Sequence, residues 1–261
     1  MSQDFRADRA RSIALNRIPQ VTFVFWLIKV LSTTSGETVA DFLNNTLGWG
    51  LNGTTVFMTA LLAAALIWQF STRRYVPAAY WLVVILISVV GTLITDTMSD
   101  QLEIPLWVST AIFAAALALT FIIWWMREKT LSIKTVYTRR REVFYWVAIL
   151  FTFALGTAAG DLLSESLDLG YFVATLIFLG AIALVTLAWR FVGANVVACF
   201  WAVYILTRPL GASLGDLLSQ DPENGGLGVG TTWTSVVFGV AIVALIITDS
   251  VRMTRLRREY S

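Results

Sequence analysis

Four aspartates recur in one frame, and they are the residues of this chain best placed to do chemistry. Asp41, Asp96, Asp161 and Asp216 each stand fifteen residues after a tryptophan (Trp26, Trp81, Trp146, Trp201) and five after a glycine (Gly36, Gly91, Gly156, Gly211). An aromatic residue precedes every one of these tryptophans: Phe25, Tyr80, Tyr145 and Phe200. From one aspartate to the next the steps are 55, 65 and 55 residues. Four triplets in identical register define a fourfold internal repeat.

On a helix, residues four apart lie nearly above one another. Stepping by four through each aspartate gives Lys29–Thr33–Glu37–Asp41–Asn45, Ser88–Thr92–Asp96–Asp100, Thr157–Asp161–Glu165 and Arg208–Ala212–Asp216–Gln220. Each is a polar stripe on an otherwise apolar segment. Carboxylates with neighbouring hydroxyls suit hard cations or protons. The candidate ion- or substrate-binding residues are Asp41, Asp96, Asp161, Asp216, Glu37, Thr33, Thr92, Thr157, Arg208 and Lys29, with the four aspartates as candidate metal ligands. Arg208 lies seven residues past Trp201, roughly 10 Å along a helix, and each aspartate about 22 Å past its tryptophan. Lys29, three residues past Trp26, is close enough to the helix start to snorkel outward. Four carboxylates in one cavity cannot all be charged cheaply, so some should be protonated unless a bound cation or Arg208 compensates. The frame glycines face elsewhere, about 140° from the aspartates at ~100° per residue. Gly156–Gly160 and Gly211–Gly215 are GxxxG pairs, and Gly36–Ala40 and Gly91–Thr95 are small-residue equivalents. Such faces let helix backbones approach in lipid, so these glycines read as packing positions. The repeat tryptophans read as interfacial anchors and packing wedges.

The elements that must carry the stripes are membrane helices. Of 261 residues 57% are hydrophobic and only 14% charged, against about a quarter charged in soluble domains. Apolar segments occupy roughly 21–43, 54–70, 77–99, 105–126, 143–165, 171–189, 195–219 and 231–249, each near the ~20 residues a helix needs to span hydrocarbon. Basic residues gather in alternate connections: Arg6, Arg9, Arg11 and Arg17; Arg73 and Arg74; Arg127 to Arg141; Arg190; Arg252 to Arg258. The intervening loops carry none, which puts both termini in the cytoplasm. Trp68, Trp124, Trp125 and Trp189 sit beside the basic connections, as interfacial aromatics do. The expected fold is all-α: eight transmembrane helices in four parallel two-helix repeats, with pseudosymmetry about the membrane normal. The division is a cytosolic segment 1–20, a first half 21–126, a basic cytosolic linker 127–142, a second half 143–249 and a cytosolic tail 250–261.

With its four tryptophans and the segment KVLSTTSGETVAD, Lys29 to Asp41, the chain resembles a bacterial integral membrane family. That family is described by four tandem repeats of unknown function, each with two transmembrane stretches and a characteristic tryptophan. The resemblance covers about residues 21 to 249. It implies a location in the bacterial inner membrane and brings no activity with it.

Function therefore has to come from the residues. Histidine is absent and Cys199 is the single cysteine, so imidazole or thiolate metal sites are excluded. No nucleophile–base pair or phosphate-binding loop is visible, which argues against an enzyme or an ATP-driven pump. Three readings stand: a secondary transporter of small cations (manganese, magnesium, calcium or protons), a cation channel on the pseudosymmetry axis, and a non-transporting scaffold or sensor. The partners expected are the lipid bilayer and a small cation, with no nucleic acid; no cofactor is called for beyond a bound divalent cation, and homo-oligomerisation stays open. Cysteines introduced as Gly48→Cys or Glu223→Cys should react with impermeant thiol reagents in intact cells, and Lys134→Cys only after lysis. Labelling of Lys134→Cys from outside would overturn this topology.

Overall fold

The computed structural model describes residues 16–260. The basic residues Arg6, Arg9 and Arg11 of the N-terminal segment lie outside that range. Eight long helices account for nearly all of it: α1 (Phe23–Asp41), α2 (Gly50–Ser71), α3 (Pro77–Asp96), α4 (Leu106–Glu128), α5 (Arg139–Asp161), α6 (Gly170–Leu187), α7 (Val196–Ser219) and α8 (Thr231–Tyr260). Their starts follow local chemistry. Thr22 accepts from the Phe25 amide, Thr138 from that of Arg141, and Asn195 from those of Val197 and Ala198, which satisfies donors a helix N-terminus leaves free. Pro77 opens α3, where its missing N–H costs nothing.

Seven of the eight helices are long and apolar enough to cross a membrane; α1 is the exception. Its apolar character is diluted by Lys29, Ser32, Thr33, Thr34, Ser35, Glu37 and Thr38, and all seven are buried. The polar residues of α1 are thus spent inside the bundle. Helices α2, α4, α6 and α8 do the opposite and present apolar side chains outward, among them Ile67, Ile122, Leu184 and Val240. That pattern suits a protein whose surroundings are lipid.

The four frame-bearing helices close a ring: α1 packs on α3 and α7, and α5 packs on α3 and α7. The second helix of each repeat leans on the first helix of the following one, α2 on α3, α4 on α5, α6 on α7, and α8 returns to α1. One contact recurs at every seam of the ring. Gly36 faces Ser88, Gly91 faces Phe153, Gly156 faces Arg208, and Gly211 faces Thr33. In each case the glycine of one helix meets the residue eight before the aspartate of the next. An added Cβ at any of the four frame glycines would come closer than 3.0 Å to the neighbouring helix. Gly215 is nearly as close, 3.2 Å from the β-carbon of Glu37 for an added Cβ, whereas Gly160 has ordinary room at 3.5 Å.

Four features depart from the sequence reading. Helix α8 continues past 249 to Tyr260, since nothing between Ile247 and Tyr260 breaks it. Trp81, Trp146, Trp201 and also Trp124 are buried, so these four are packing wedges inside the bundle and not interfacial anchors. Trp124 lies edge-on to Trp201 and parallel to Phe144. Three motif helices widen into a π-helical turn directly after their aspartate, at Phe42–Thr46, Thr97–Gln101 and Leu162–Ser166. Lastly, helices enter the basic linker from both sides, to Glu128 and from Arg139. Arg140 and Arg141 both bind Glu128, Ile133 and Val136 are buried, and the Trp201 indole donates to the Leu131 carbonyl at 3.0 Å. Beside the linker Glu142, buried at the start of α5, accepts from Arg17 at 2.6 Å and from Gln69 at 2.8 Å.

Replacing Gly91 tests the seam. A Cβ there would stand 2.9 Å from the β-carbon of Phe153 and 3.3 Å from the Ala154 nitrogen. Gly91→Leu should cost at least the ~1–3 kcal/mol typical of overpacking and lower the thermal midpoint in detergent. Gly180→Leu, at an open position on α6, should leave the midpoint unchanged.

Candidate functional site

Because the four ring helices share one register, their stripes meet as layers of four along the ring axis. The outermost holds Asp41, Asp96, Asp161 and Asp216. Below it come Glu37, Thr92, Thr157 and Ala212, then Thr33, Ser88, Phe153 and Arg208, then Lys29, Val84, Ile149 and Tyr204. Phe25, Tyr80, Tyr145 and Phe200 close the far end. Those four aromatics belong to the same stripes, sixteen residues before each aspartate. Four further backward steps of four from the aspartate would have found them.

Arg208 is the hub. Its side chain is fully buried and is held from all three other ring helices. Nη2 donates to Glu37 Oε2 at 2.9 Å, to Thr157 Oγ1 at 2.7 Å and to Thr92 Oγ1. Nη1 donates to the Thr33 carbonyl at 3.2 Å. Thr92 also donates to Glu37 Oε2 at 3.1 Å. Five sequence-derived candidates therefore converge on one point: Arg208, Glu37, Thr33, Thr92 and Thr157. Thr33 contributes its carbonyl and not its hydroxyl, which is spent on the Val30 and Thr207 carbonyls. A buried guanidinium is tolerable only with such a set of acceptors.

The aspartates form the mouth above this hub. Asp216 is buried, and Asp41, Asp96 and Asp161 are partly open. Glu37 acts electrostatically on all four, and the aspartates act on one another. Asp100 adds its charge at Asp41 and Asp96, and Glu165 at Asp41, Asp161 and Asp216. Arg208 offsets the negative potential at Asp96 and Asp161. Gln220 reaches Asp41 with a long 3.4 Å hydrogen bond. Among the described residues, no three acidic or cysteine side chains come close enough together to hold a metal ion. The aspartates share a mouth without forming a compact metal cage.

Lys29 sits apart from the acids. It does not snorkel: it is fully buried, its ammonium 4.1 Å from the Phe153 ring centre and 4.4 Å from that of Tyr204. No hydrogen-bond acceptor reaches its Nζ. The ring faces supply what stabilisation it has. Its position on the stripe was legible in the sequence; the aromatic pair that receives it was not.

Loss of the hub charge should cost more than loss of the whole pair. Arg208→Met leaves Glu37 buried and unpaired, a change worth about 3–5 kcal/mol. The double variant Arg208→Met, Glu37→Gln should recover most of that in chemical unfolding of the purified protein. Equal losses in the single and double variants would remove the ion pair from the centre of the fold.

The sequence was also compared with known proteins. It matches the family profile described as Repeat of Unknown Function (DUF347) four times, over residues 24–75, 79–130, 144–195 and 199–252. Every match begins two residues before a frame tryptophan. No curated protein and no solved structure matches the chain. The four profile matches tile nearly all of the ring and its outer helices, and the chain belongs to this DUF347 repeat family.

Proposed function

We propose that this chain is a secondary transporter of small hard cations, and that it works across the bacterial inner membrane. In this reading all eight helices span the bilayer in four parallel repeats about an axis along the membrane normal, with both termini in the cytoplasm. The observation that carries the proposal is the acidic mouth. Four frame aspartates, Glu37, Asp100 and Glu165 share one field, and Arg208 is the cation built into its floor. Ionisable groups at such depth usually face a cavity or a transported ion. Because no carboxylate trio among the described residues is gathered into a cage, the suited cargo keeps part of its hydration shell. Magnesium does so through one or two carboxylates, and manganese takes similar oxygen ligands. Protons are the natural coupling ion for carboxylates that meet solvent.

An open channel is the less favoured reading. Beside and below Arg208 the axis is filled by Phe153, Ile149, Val84, Tyr204 and the aromatic layer, all but Phe200 of that layer buried. A mouth open at one end and packed at the other fits alternating access better than a continuous pore.

Uptake of manganese and magnesium into proteoliposomes, with and without a pH gradient, tests the proposal. Asp41→Asn, Asp96→Asn, Asp161→Asn and Asp216→Asn should each lower saturable flux while leaving expression intact. Their combined effects should be less than additive, as for groups in one site. Four variants that transport and bind like the parent would leave the aspartates a structural role, and a parent without flux would favour the scaffold.

A further inference from the structure

Beneath the acidic mouth lies a second set of polar groups that cation binding does not use. Tyr204 from α7, Tyr145 from α5, Tyr80 from α3 and Tyr75 from the turn before α3 are all buried, the first three completely. The hydroxyls of Tyr80 and Tyr145 are 2.5 Å apart, and either can donate. The Tyr204 hydroxyl is buried beside them without a hydrogen-bond partner. Tyr80 meets Tyr75 edge-on, ring centres 5.7 Å apart. Tyr75 donates to Asp249 Oδ2 on α8 at 2.6 Å. Above the chain stands Lys29, its ammonium over the Tyr204 ring and without an acceptor. Below it Asp249 is part-exposed.

We propose that these residues are a proton path, in which hydroxyls of Tyr204, Tyr145, Tyr80 and Tyr75 pass protons between Lys29 and Asp249. This rests on the transport reading only for what the proton moves against. A structural aromatic layer would not need the hydroxyls. At the same frame position α1 and α7 carry Phe25 and Phe200, which pack as well without a polar atom to satisfy. Nor would it place an unpartnered lysine at one end of the hydroxyls and a carboxylate at the other. Phe25, Trp81, Trp146, Trp201, Val84 and Ile149 surround the path and are buried. Such packing excludes ions and leaves the tyrosine hydroxyls, which reorient to hand protons on, as the conducting element.

The step balances. The Lys29 stem swings its ammonium from the ring face to the Tyr204 hydroxyl and gives it a proton. Each tyrosine passes its own proton onward as it receives one, and all four end neutral. Lys29 is left as an amine and Asp249 as a carboxylic acid, which then releases its proton to the cytoplasm. The charged groups facing the path are Arg208 from α7 above Lys29 and Arg252 from α8 beside Asp249. From α3 and α5 the titratable groups that face it are the tyrosines themselves.

Proteoliposomes loaded with a pH-sensitive dye and polarised with potassium and valinomycin read the path directly, with and without external manganese. Parent protein should move protons in at least one condition. Tyr145→Phe, which keeps the ring, and Asp249→Asn, at the edge of the bundle, should each slow that movement about tenfold or more, the scale of a lost proton-transfer group. Tyr137→Phe, in the linker, should match the parent. Parental rates in Tyr145→Phe and Asp249→Asn, or a parent no faster than empty liposomes, would overturn the path. Cation uptake without proton movement would do the same while leaving the acidic mouth standing. Proton movement that survives Asp41→Asn but not Tyr145→Phe would keep the path and count against the mouth.

Discussion

A guanidinium in the middle of an apolar bundle has to be given acceptors by whatever surrounds it, and most of this architecture answers that requirement. Arg208 takes its partners from α1, α3 and α5 at once, so those three helices must stand at equal depth around α7. The glycine opposite it, Gly156, leaves the space that the arginine stem occupies. Any β-carbon there would collide with the stem. One charge thereby ties the helix spacing, the register and the placement of Glu37 into a single condition.

The same geometry separates the molecule into two chemical halves. Toward the aspartates the axis is acidic and partly open. Toward the repeat tryptophans it is aromatic, with the hydroxyls of Tyr80 and Tyr145 paired to each other and that of Tyr75 to Asp249. The ion pair of Arg208 and Glu37 is the boundary between them. A carboxylate on the acidic side and a lysine on the aromatic side both lie within one layer of the guanidinium, so a change in the charge of either is felt by the other through it. Mouth and path are in this sense electrostatically joined without sharing a residue.

Much of this was legible in the sequence because it obeys a period. The repeat frame gave the aspartates, the glycines and the tryptophans, and the step of four gave Glu37, Thr92, Thr157 and Arg208 as neighbours of one axis. What escaped does not obey a period. Which ring helix receives α2 or α8 is decided by shape between apolar surfaces, and hydropathy is blind to that because lipid is as apolar as another helix. The π-helical turns after Asp41, Asp96 and Asp161 leave no compositional trace. Lys29 looked free to reach the surface because its distance along the helix allowed it. The Phe153 and Tyr204 rings that hold it come from two other helices, over 120 residues away in the chain. Glu142 and Arg17 are 125 residues apart, and neither carries a mark that it will be buried.

The circular exchange of outer helices bears on how the protein is made. Helix α1 is the one of the eight without an apolar stretch long enough to cross the membrane, yet it is synthesised first. The arginine that neutralises its glutamate lies 171 residues later, and the helix that covers its outer face is the last to emerge. No repeat encloses its own polar stripe, and the ring cannot close until the final hairpin arrives. Between those two moments Glu37 has only the Thr92 hydroxyl of α3 to meet and Lys29 only the Phe153 ring of α5, while Asp41 waits for Gln220. The polar stripe of the first helix is therefore completed only when the fourth repeat is in place.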